Sequence, residues 1–164
     1  MATRRSEPKA GRPHMPGYGI PKGRKGLLPW KWAEQRLKKS HNYWITTAGP
    51  DGSPHTMVVW GMWIDGGFYF STGKGSRKAR NLAQNPRCVV STERADEAVI
   101  VEGEAGLTKD SPAIKFFSQY EKKYKWDMSQ MQDEPIYRVT PRKAFGLYEK
   151  KFQASATRWK FPSR

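Results

Sequence analysis

The chain has 164 residues, the length of one ordinary domain with one hydrophobic core, and its formal net charge is +15 at pH 7. This charge favours partners that carry negative charge: nucleic acid, acidic lipid surfaces or phosphorylated small molecules. No apolar run reaches the roughly 20 residues of a membrane-spanning helix, and no apolar segment follows the basic N-terminus. The single cysteine excludes an internal disulfide. We therefore expect a cytoplasmic protein.

Residues 1–26 are rich in Pro, Gly and basic side chains, with seven Lys or Arg against one Glu. Their net charge of +6 leaves +9 for residues 27–164, which we expect to form the folded domain. So few aliphatic side chains bury too little apolar surface to offset the entropy of ordering, which predicts a flexible basic arm over residues 1–26. Alternatively, Tyr18 and Ile20 could pack as a strap against the domain or a neighbouring subunit.

The first predicted helix begins after residue 27 and ends before residue 41. It has Pro29 in its first turn and apolar residues such as Ala33 and Leu37 at helical spacing. Runs of β-branched and aromatic residues then predict strands over residues 43–48, 55–64 and 68–72. The Asp65-Gly66 pair between two such runs is a strong hairpin signal, and the turn cluster of residues 49–54 adds a second.

A second, short helix is predicted over residues 77–84, with Ser76 as its N-cap and with Ala79, Leu82 and Ala83 facing inward. A third is predicted over residues 110–124, with apolar Ile114, Phe117 and Tyr120. Further strands are predicted over residues 87–92, 98–105, 136–140, 145–148 and 155–161. About six principal strands with a few short helices indicate a small, mainly β, antiparallel barrel.

The segment of residues 71–81 carries the most chemistry. A strand ends in two hydroxyl residues, two glycines follow, and a helix then begins whose free N–H groups and positive dipole end favour an anion. Four cations crowd this point: Lys74, Arg77, Lys78 and Arg80. Cations at a helix N-terminus repel one another and oppose the dipole, and a bound phosphate would relieve that conflict. The alternative is a solvated basic helix end.

Several short motifs resemble the pyridoxamine 5'-phosphate oxidase-like split barrels. Their phosphate-binding segment is matched by Phe68-Tyr69-Phe70-Ser71-Thr72, Ser76-Arg77-Lys78, Asn81-Leu82 and Asn85-Pro86. A further set is similar to the B branch of the flavin/deazaflavin oxidoreductases, whose usual cofactor is coenzyme F420: residues 44–47, Pro50-Asp51-Gly52, Pro54-His55, Trp60-Gly61-Met62-Trp63 and Thr157-Arg158-Trp159. Together these motifs extend over residues 28–161.

The resemblance implies an FMN-binding-like split β-barrel, a six-stranded antiparallel Greek-key barrel with flanking helices. It implies a homodimer with two cofactor sites between the subunits, the cofactor being F420 with FMN as the alternative. Ser76, Arg77 and Lys78 would hold the phosphate. The cofactor-binding residues that the resemblance implies are His55, Thr56, Met57, Val58, Val59, Ser71, Thr72, Ser76, Arg77, Lys78, Asn81, Arg158 and Trp159.

The function implied is hydride transfer between the cofactor and an unidentified small molecule. No catalytic residue is expected, since the cofactor carries the hydride and the protein orients it. The sequence has no counterpart of the Arg-x-His motif that the vitamin-forming oxidases use for their substrate. Three alternatives stay open: an FMN-dependent pyridoxamine phosphate oxidase-like protein, a haem-handling split barrel, and a non-enzymatic basic protein that binds a cofactor or nucleic acid.

Other chemistry is poorly supported by the sequence. His14, His41 and His55 are scattered and form no HExxH or Cys/His set, so no metal is expected. Asp51 and other turn carboxylates are expected to shape turns, and Cys88 to be a buried, inert thiol. No RNP, KH or helix-turn-helix pattern is present, so nucleic acid is disfavoured as a partner.

Overall fold

The computed structural model describes residues 7–108, 111–131 and 133–163. Its helices are α1 (Trp30–Lys39), α2 (Arg77–Gln84), α3 (Ser111–Tyr124) and α4 (Phe152–Ser155). Its strands are β1 (Lys9–Gly11), β2 (Tyr43–Ala48), β3 (Pro54–Val59), β4 (Met62–Ile64), β5 (Gly67–Ser71), β6 (Arg87–Thr92), β7 (Glu97–Leu107), β8 (Ile136–Tyr148) and β9 (Thr157–Lys160). Every pairing between these strands is antiparallel, and the predicted mainly β class is confirmed.

Side chains along the strands alternate between the core and the surface. Along β2, Tyr43 and Ile45 are fully buried while Trp44 between them is exposed, as a strand with one face in the core requires. A chain of aromatic contacts joins Tyr43, Phe68, Phe70 and Tyr137, with ring centroids 4.6, 6.0 and 5.3 Å apart. Full burial of each such side chain contributes about 1.5–3 kcal/mol, so the barrel interior is the main source of stability.

The barrel is split at β8. One edge of β8 pairs with β7 along its whole length, while the other edge pairs first with β5 and then with β9. Pro141, which lacks an N–H group, lies where the partner changes from β5 to β9, so its missing donor breaks no ladder there. The strand order β1-β9-β8-β7-β6-β2-β3 leaves β3 and β1 at opposite ends.

Three helices close the barrel. Ala33 and Leu37 of α1 are fully buried in the main core. Phe116 and Tyr120 of α3 pack in a second cluster over the outer side of β4 and β5. α2 lies beside the end of β2, where the buried Asn81 Nδ2 donates to Thr47 Oγ1 at 3.0 Å. No helix in the described ranges combines the length and apolarity that crossing a bilayer requires.

The strand predicted over residues 55–64 is two strands in the structure. β3 pairs with β2, and β4 pairs with β5, so the chain changes partner at Trp60-Gly61. A Cβ at Gly61 would lie 2.2 Å from the Phe68 ring and 2.7 Å from the Tyr69 carbonyl oxygen. This close approach of the backbone to a core aromatic needs glycine, and it makes the corner.

Other differences are smaller. The two late strands predicted over residues 136–140 and 145–148 form one strand, β8, because its partner on one side is continuous. Ala83 is exposed and Asn81 takes the buried position on α2. On α3 the buried face is built around Phe116, whereas Ile114 is 71% exposed. The described strands number nine rather than about six: β1 was not predicted, and the strand predicted over residues 55–64 is divided into β3 and β4. The last strand predicted over residues 155–161 is present as β9.

Residues 7–26 also differ from the predicted flexible arm; residues 1–6 lie outside the described part. β1 pairs with β9, and the Arg12 guanidinium donates to the carbonyl oxygens of Gly23, Lys25, Ala154 and Ala156 at 2.8, 2.6, 2.8 and 3.1 Å. Tyr18 contacts Phe152 edge-on, with ring centroids 6.0 Å apart. Backbone pairing and charge-assisted hydrogen bonds hold this segment, and neither depends on apolar composition.

Candidate cofactor site

The junction between β5 and α2 is built around the predicted N-cap, Ser76. Its Oγ accepts the Ala79 N–H at 3.1 Å and the Thr72 hydroxyl at 3.1 Å, and its own N–H donates to Gly73 O at 2.9 Å. The prediction of Ser76 as the cap of α2 is confirmed. Because the cap is held from both sides, the first turn of α2 has a fixed direction.

Two N–H groups at the start of α2 have no acceptor. Arg77 and Lys78 are its first two residues, whose N–H groups have no intrahelical partner by geometry, and no other described residue accepts from them. Nothing lies within 4 Å of a Cβ built on Gly73 or Gly75, so the approach to these groups is open. The positive end of the helix dipole and two free donors therefore point to one exposed spot.

The side chains around this spot are positive. Arg77 is exposed and Lys78 is half-buried, and within the described chain neither forms an ion pair with a carboxylate. Desolvation lowers the pKa of Lys78. Desolvation, followed by the charges of Arg77 and Lys78, lowers the pKa of His55. His55 lies opposite Thr47, to which Asn81 of α2 donates. We call the spot formed by Thr72, Ser76, Arg77 and Lys78 the cradle.

The Arg80 side chain is directed elsewhere, and Lys74 is bound through its backbone. Arg80 Nη1 donates back to Gly75 O at 2.5 Å, and the Lys74 N–H donates to Glu134 Oε2 at 3.1 Å. The Asp51 carboxylate accepts from the Ser53 hydroxyl and N–H, and these bonds, more than the distant charge of Arg77, lower its pKa. Asp51 is thus a turn residue, as its sequence position indicates.

β3 leads away from the cradle as an open strand edge. It pairs only with β2 among the described strands, so half of its backbone N–H and C=O groups face outward. Met57 is 46% and Val58 44% exposed, Thr56 is exposed, and Val59 is buried in the core. The Thr56 and Thr46 hydroxyl groups lie 2.8 Å apart. The edge offers backbone hydrogen bonds beside an apolar surface.

Two predicted site residues support the site from behind. The Ser71 hydroxyl donates to Pro135 O at 3.0 Å. The buried Asn81 amide donates to Thr47, as above, and so ties α2 to β2. Both therefore hold the elements that carry the cradle.

Arg158 and Trp159 are not brought to the cradle within one chain. They lie on β9, which β8, β7, β6 and β2 separate from β3 in the sheet order. Trp159 is fully buried and packs on Trp30, with ring centroids 5.4 Å apart, so its predicted contact with the pocket is a core contact instead. Arg158 is half-buried on the outer face of β9.

The cradle is an open surface of the single chain. Two grooves, of about 400 and 680 Å³, lie elsewhere, and neither is lined by a cradle residue. The smaller includes Arg138, Thr140 and Arg142; the larger includes Arg36 and Glu97, which form an ion pair at 2.8 Å. Within the described ranges no group of three or more His, Cys, Asp or Glu could hold a metal ion.

Sequence reasoning missed an aromatic cluster at the far end of β3. His41, Trp60, Tyr124 and Trp126 contact one another there, and Lys123 lies beneath them. The signal available in the sequence was the concentration of tryptophan and tyrosine at residues 60–63 and 124–126. Nothing in the sequence indicated that the two segments meet.

A sequence model of the family described as pyridoxamine 5'-phosphate oxidase matches residues 30–148. A pyridoxine/pyridoxamine 5'-phosphate oxidase of Rubrobacter xylanophilus is 32% identical over 95 residues, which are 54% of this chain. The match spans only 44% of that relative's length. The family match covers β2 to β8 and therefore includes the cradle and the β3 edge.

Solved structures share the fold at low sequence identity. The conserved hypothetical protein Rv2991 from Mycobacterium tuberculosis has a TM-score of 0.69 and 22% identity, covering 79% of this chain and 90% of its own. An F420 reductase has a TM-score of 0.57 and 23% identity, covering 68% and 94%. The haem storage protein HutZ of Vibrio cholerae has a TM-score of 0.55 and 19% identity, covering 68% and 87%. At these identities the likeness extends to the fold alone.

Proposed function

The chain belongs to the pyridoxamine 5'-phosphate oxidase family, and on that premise we propose that it is an oxidoreductase that binds a flavin-type cofactor, with F420 favoured over FMN. The observation that carries the proposal is the cradle. Two N–H groups without acceptors and two cations without carboxylate partners converge at the start of α2. Without a bound anion, the cations face the positive end of the helix dipole, which is unfavourable.

The cradle residues fit a phosphate. The N–H groups of Arg77 and Lys78 donate along the helix axis, the Arg77 guanidinium offers a bidentate fork, and the Lys78 ammonium adds a mobile point charge. The open space above Gly73 and Gly75 admits the anion to the backbone. A charged ligand here also removes the mutual repulsion of the cations.

The edge of β3 fits the ring system. Outward N–H and C=O groups of this strand can hydrogen-bond the polar edge of a planar ring, while Met57 and Val58 offer apolar contact. When bound, the cofactor supplies hydride transfer. The protein's part is to orient the ring and to exclude water, and the lowered pKa of His55 favours its neutral form.

Charge favours the deazaflavin. The phosphate and oligoglutamate tail of F420 carry more negative charge than FMN, and residues 27–164 alone have a net charge of +9. The same fold is found in an F420 reductase and in a haem storage protein. Because the fold alone does not choose between these ligands, titration with each cofactor is the test.

A homodimer would complete the site. Residues directly opposite one another in register form a row across the outer face of the sheet: Val58, Trp44, Ser91, Ile100, Phe145 and Arg158. Val58 and Trp44 are 44% and 45% exposed, although both are large and apolar. If a two-fold axis runs parallel to the strands, a second copy on this face brings its β9 over β3. Arg158 of the partner subunit then reaches the cofactor, which accounts for its distance from the cradle in one chain.

The test is a direct titration of F420 and of FMN, followed by tryptophan fluorescence. In the double variant Arg77→Ala/Lys78→Ala we expect cofactor binding to weaken by about 2 kcal/mol or more, roughly 30-fold in Kd, because charge-assisted hydrogen bonds to the phosphate are lost. The melting temperature without cofactor should change little, since neither side chain is in the core.

The matched control is Lys150→Ala/Lys151→Ala, which removes the same charge at an exposed site remote from α2. If both double variants bind the cofactor as the wild type does, the cradle is not the phosphate site and the proposal fails. If FMN binds and F420 does not, only the preference for the deazaflavin falls.

A further inference from the structure

The aromatic cluster at the far end of β3 is rigidly built. Trp60 stacks on Tyr124 at 4.6 Å with an interplanar angle of 7°, and its Nε1 donates to Asn42 Oδ1 at 3.1 Å. The Tyr124 hydroxyl accepts the Gly61 N–H at 2.9 Å and lies 2.8 Å from the His41 carbonyl oxygen, to which it can donate. These bonds fix the Trp60 ring and the corner at Gly61 together.

Trp126 is held on this cluster with much of its surface exposed. α3 ends with Lys125 in the left-handed region at φ 54°, and the Lys125 N–H donates to Glu121 O at 2.9 Å. This turn places Trp126 edge-on to Trp60, with ring centroids 6.1 Å apart, and leaves it 52% exposed. The His41 ring lies on the other side of Trp60, 5.9 Å away. We call the surface of His41, Trp60 and Trp126 the platform.

The platform lies where a cofactor anchored in the cradle would end. His55 lies opposite Thr47, whose hydroxyl accepts from Asn81 of α2, so this end of β3 lies beside α2. Trp60 follows His55 by five residues, about 17 Å along an extended strand. A tricyclic ring joined to a phosphate by a five-carbon chain spans a comparable distance. Its ring would therefore lie along the open edge of β3 near Val58, next to the platform.

We propose that the platform binds the second reactant, and that this reactant is a planar, electron-poor conjugated ring of the quinone class. The inference rests on the proposed function, because it takes the ring of the cofactor to lie along β3. Indole rings are electron-rich on their faces and stack in offset geometry on planar rings. A hydride acceptor is electron-poor, which makes it complementary to tryptophan.

Charge argues against a cationic ligand on the same aromatics. Tryptophan faces also attract cations, but Lys123 already lies over the Tyr124 ring, 5.1 Å from its centroid, and Lys125 directly precedes Trp126 in the chain. The net charge of +15 further disfavours a cation. An uncharged or anionic planar ring meets no such penalty.

The experiment measures binding of menadione to the full chain by equilibrium dialysis, with no cofactor and no turnover. We expect Trp126→Ala to raise the Kd of menadione at least ten-fold and Trp126→Phe, which keeps a stacking face, to raise it much less. The Kd of F420 and the mass in sedimentation should stay as in the wild type, since Trp126 touches neither the cradle nor the row of residues from Val58 to Arg158.

Tyr18→Ala is the control, because Tyr18 is a similarly exposed aromatic, 57% exposed, on the opposite side of the fold beside Phe152. An unchanged menadione Kd in Trp126→Ala overturns the inference, and so does a change of oligomeric mass, which would make the platform a subunit contact. The outcome is independent of the cradle test: loss of F420 binding in Arg77→Ala/Lys78→Ala with an unaffected menadione Kd in Trp126→Ala sinks only this inference.

Discussion

Lys123 places an ammonium group in a half-buried position between α3 and the barrel. Its Nζ donates to the Tyr43 hydroxyl at 2.8 Å and to Gly61 O at 3.1 Å. Burial lowers the pKa of Lys123 to about 8, and the Glu93 carboxylate offsets only part of that effect. The same burial raises the pKa of Tyr43 and of Tyr124, so both neighbouring phenols stay neutral over the pH range in which Lys123 titrates.

The sign of the resulting pH dependence follows from proton counting. Between the folded pKa of about 8 and the ordinary value of 10.5, the unfolded chain binds more protons at Lys123 than the folded chain does. The free energy of unfolding therefore gains a term that increases with pH across this window, where the folded state escapes the penalty of a buried charge. Below pH 8 the penalty is present in full.

We therefore expect the wild type to gain stability relative to Lys123→Met as the pH rises from 8 to 9.5. The variant has no titrating group at this position, and Tyr43 remains satisfied because its hydroxyl donates to Leu37 O at 2.6 Å. Urea unfolding of both proteins at several pH values measures the difference. Stability curves that run parallel over this range would show that Lys123 titrates normally.

At the scale of elements, the sequence predicts what depends on local chemistry. The bounds of β2 and β6 follow from apolar alternation, and α2 begins at its serine cap, as predicted. The corner at Gly61 depends on a Phe68 ring that is brought close only by the closed barrel. The continuity of β8 through Pro141 depends on which strands lie beside it.

In the site, too, the sequence predicts features that depend on neighbouring residues and not those that depend on tertiary packing. The hydroxyls, glycines and cations of the cradle are contiguous in sequence, so their convergence is visible without a fold. Asn81 could be assigned to the site but not to its actual role, because its partner Thr47 is on a distant strand. Trp159 could not be separated from the pocket residues by pattern, since tertiary packing alone decides that its ring fills the core.

Arg12 makes four of the side-chain hydrogen bonds that hold the N-terminal segment, beside the bonds from Arg24 to Ala10 O and from Gln153 to Tyr18 O and the pairing of β1 with β9. Its guanidinium joins the loop before α1 to the chain that follows β8 through the carbonyl oxygens described above. In Arg12→Ala these four acceptors lose their donor, and we expect residues 12–26 to open locally while the barrel stays folded. Limited trypsin digestion should then cut after Lys22, Arg24 or Lys25 several-fold faster.

His14→Ala is the appropriate control for this measurement, because His14 is exposed in the same segment and makes no hydrogen bond among the described residues. Equal cleavage rates in Arg12→Ala and His14→Ala would mean that the pairing of β1 with β9, and not the guanidinium, holds the segment in place.

At the scale of the whole molecule, two surfaces differ in chemistry: the cradle is charged, and the row from Val58 to Arg158 has exposed apolar side chains. The cradle is strongly basic, yet the face between β3 and β9 carries an apolar row whose exposed end is Val58 and Trp44. Electrostatic attraction draws an anionic ligand to the first surface, and burial of the second requires another protein surface. In the proposed dimer a second copy would cover the row and would bring Arg158 of the partner subunit towards the cradle.

A charge placed at the exposed end of that row tests the assembly. We expect the wild type to sediment as a dimer and Val58→Lys to sediment as a monomer, because face-to-face packing would bury the introduced ammonium without a partner. Leu107→Lys, at a residue 65% exposed on β7 but outside the row, should leave the dimer intact. Because the monomer lacks Arg158 of the partner subunit, Val58→Lys should also bind F420 more weakly, although its cradle is unchanged. A wild-type monomer, or a Val58→Lys protein that still sediments as a dimer, would show that the row is not the subunit interface.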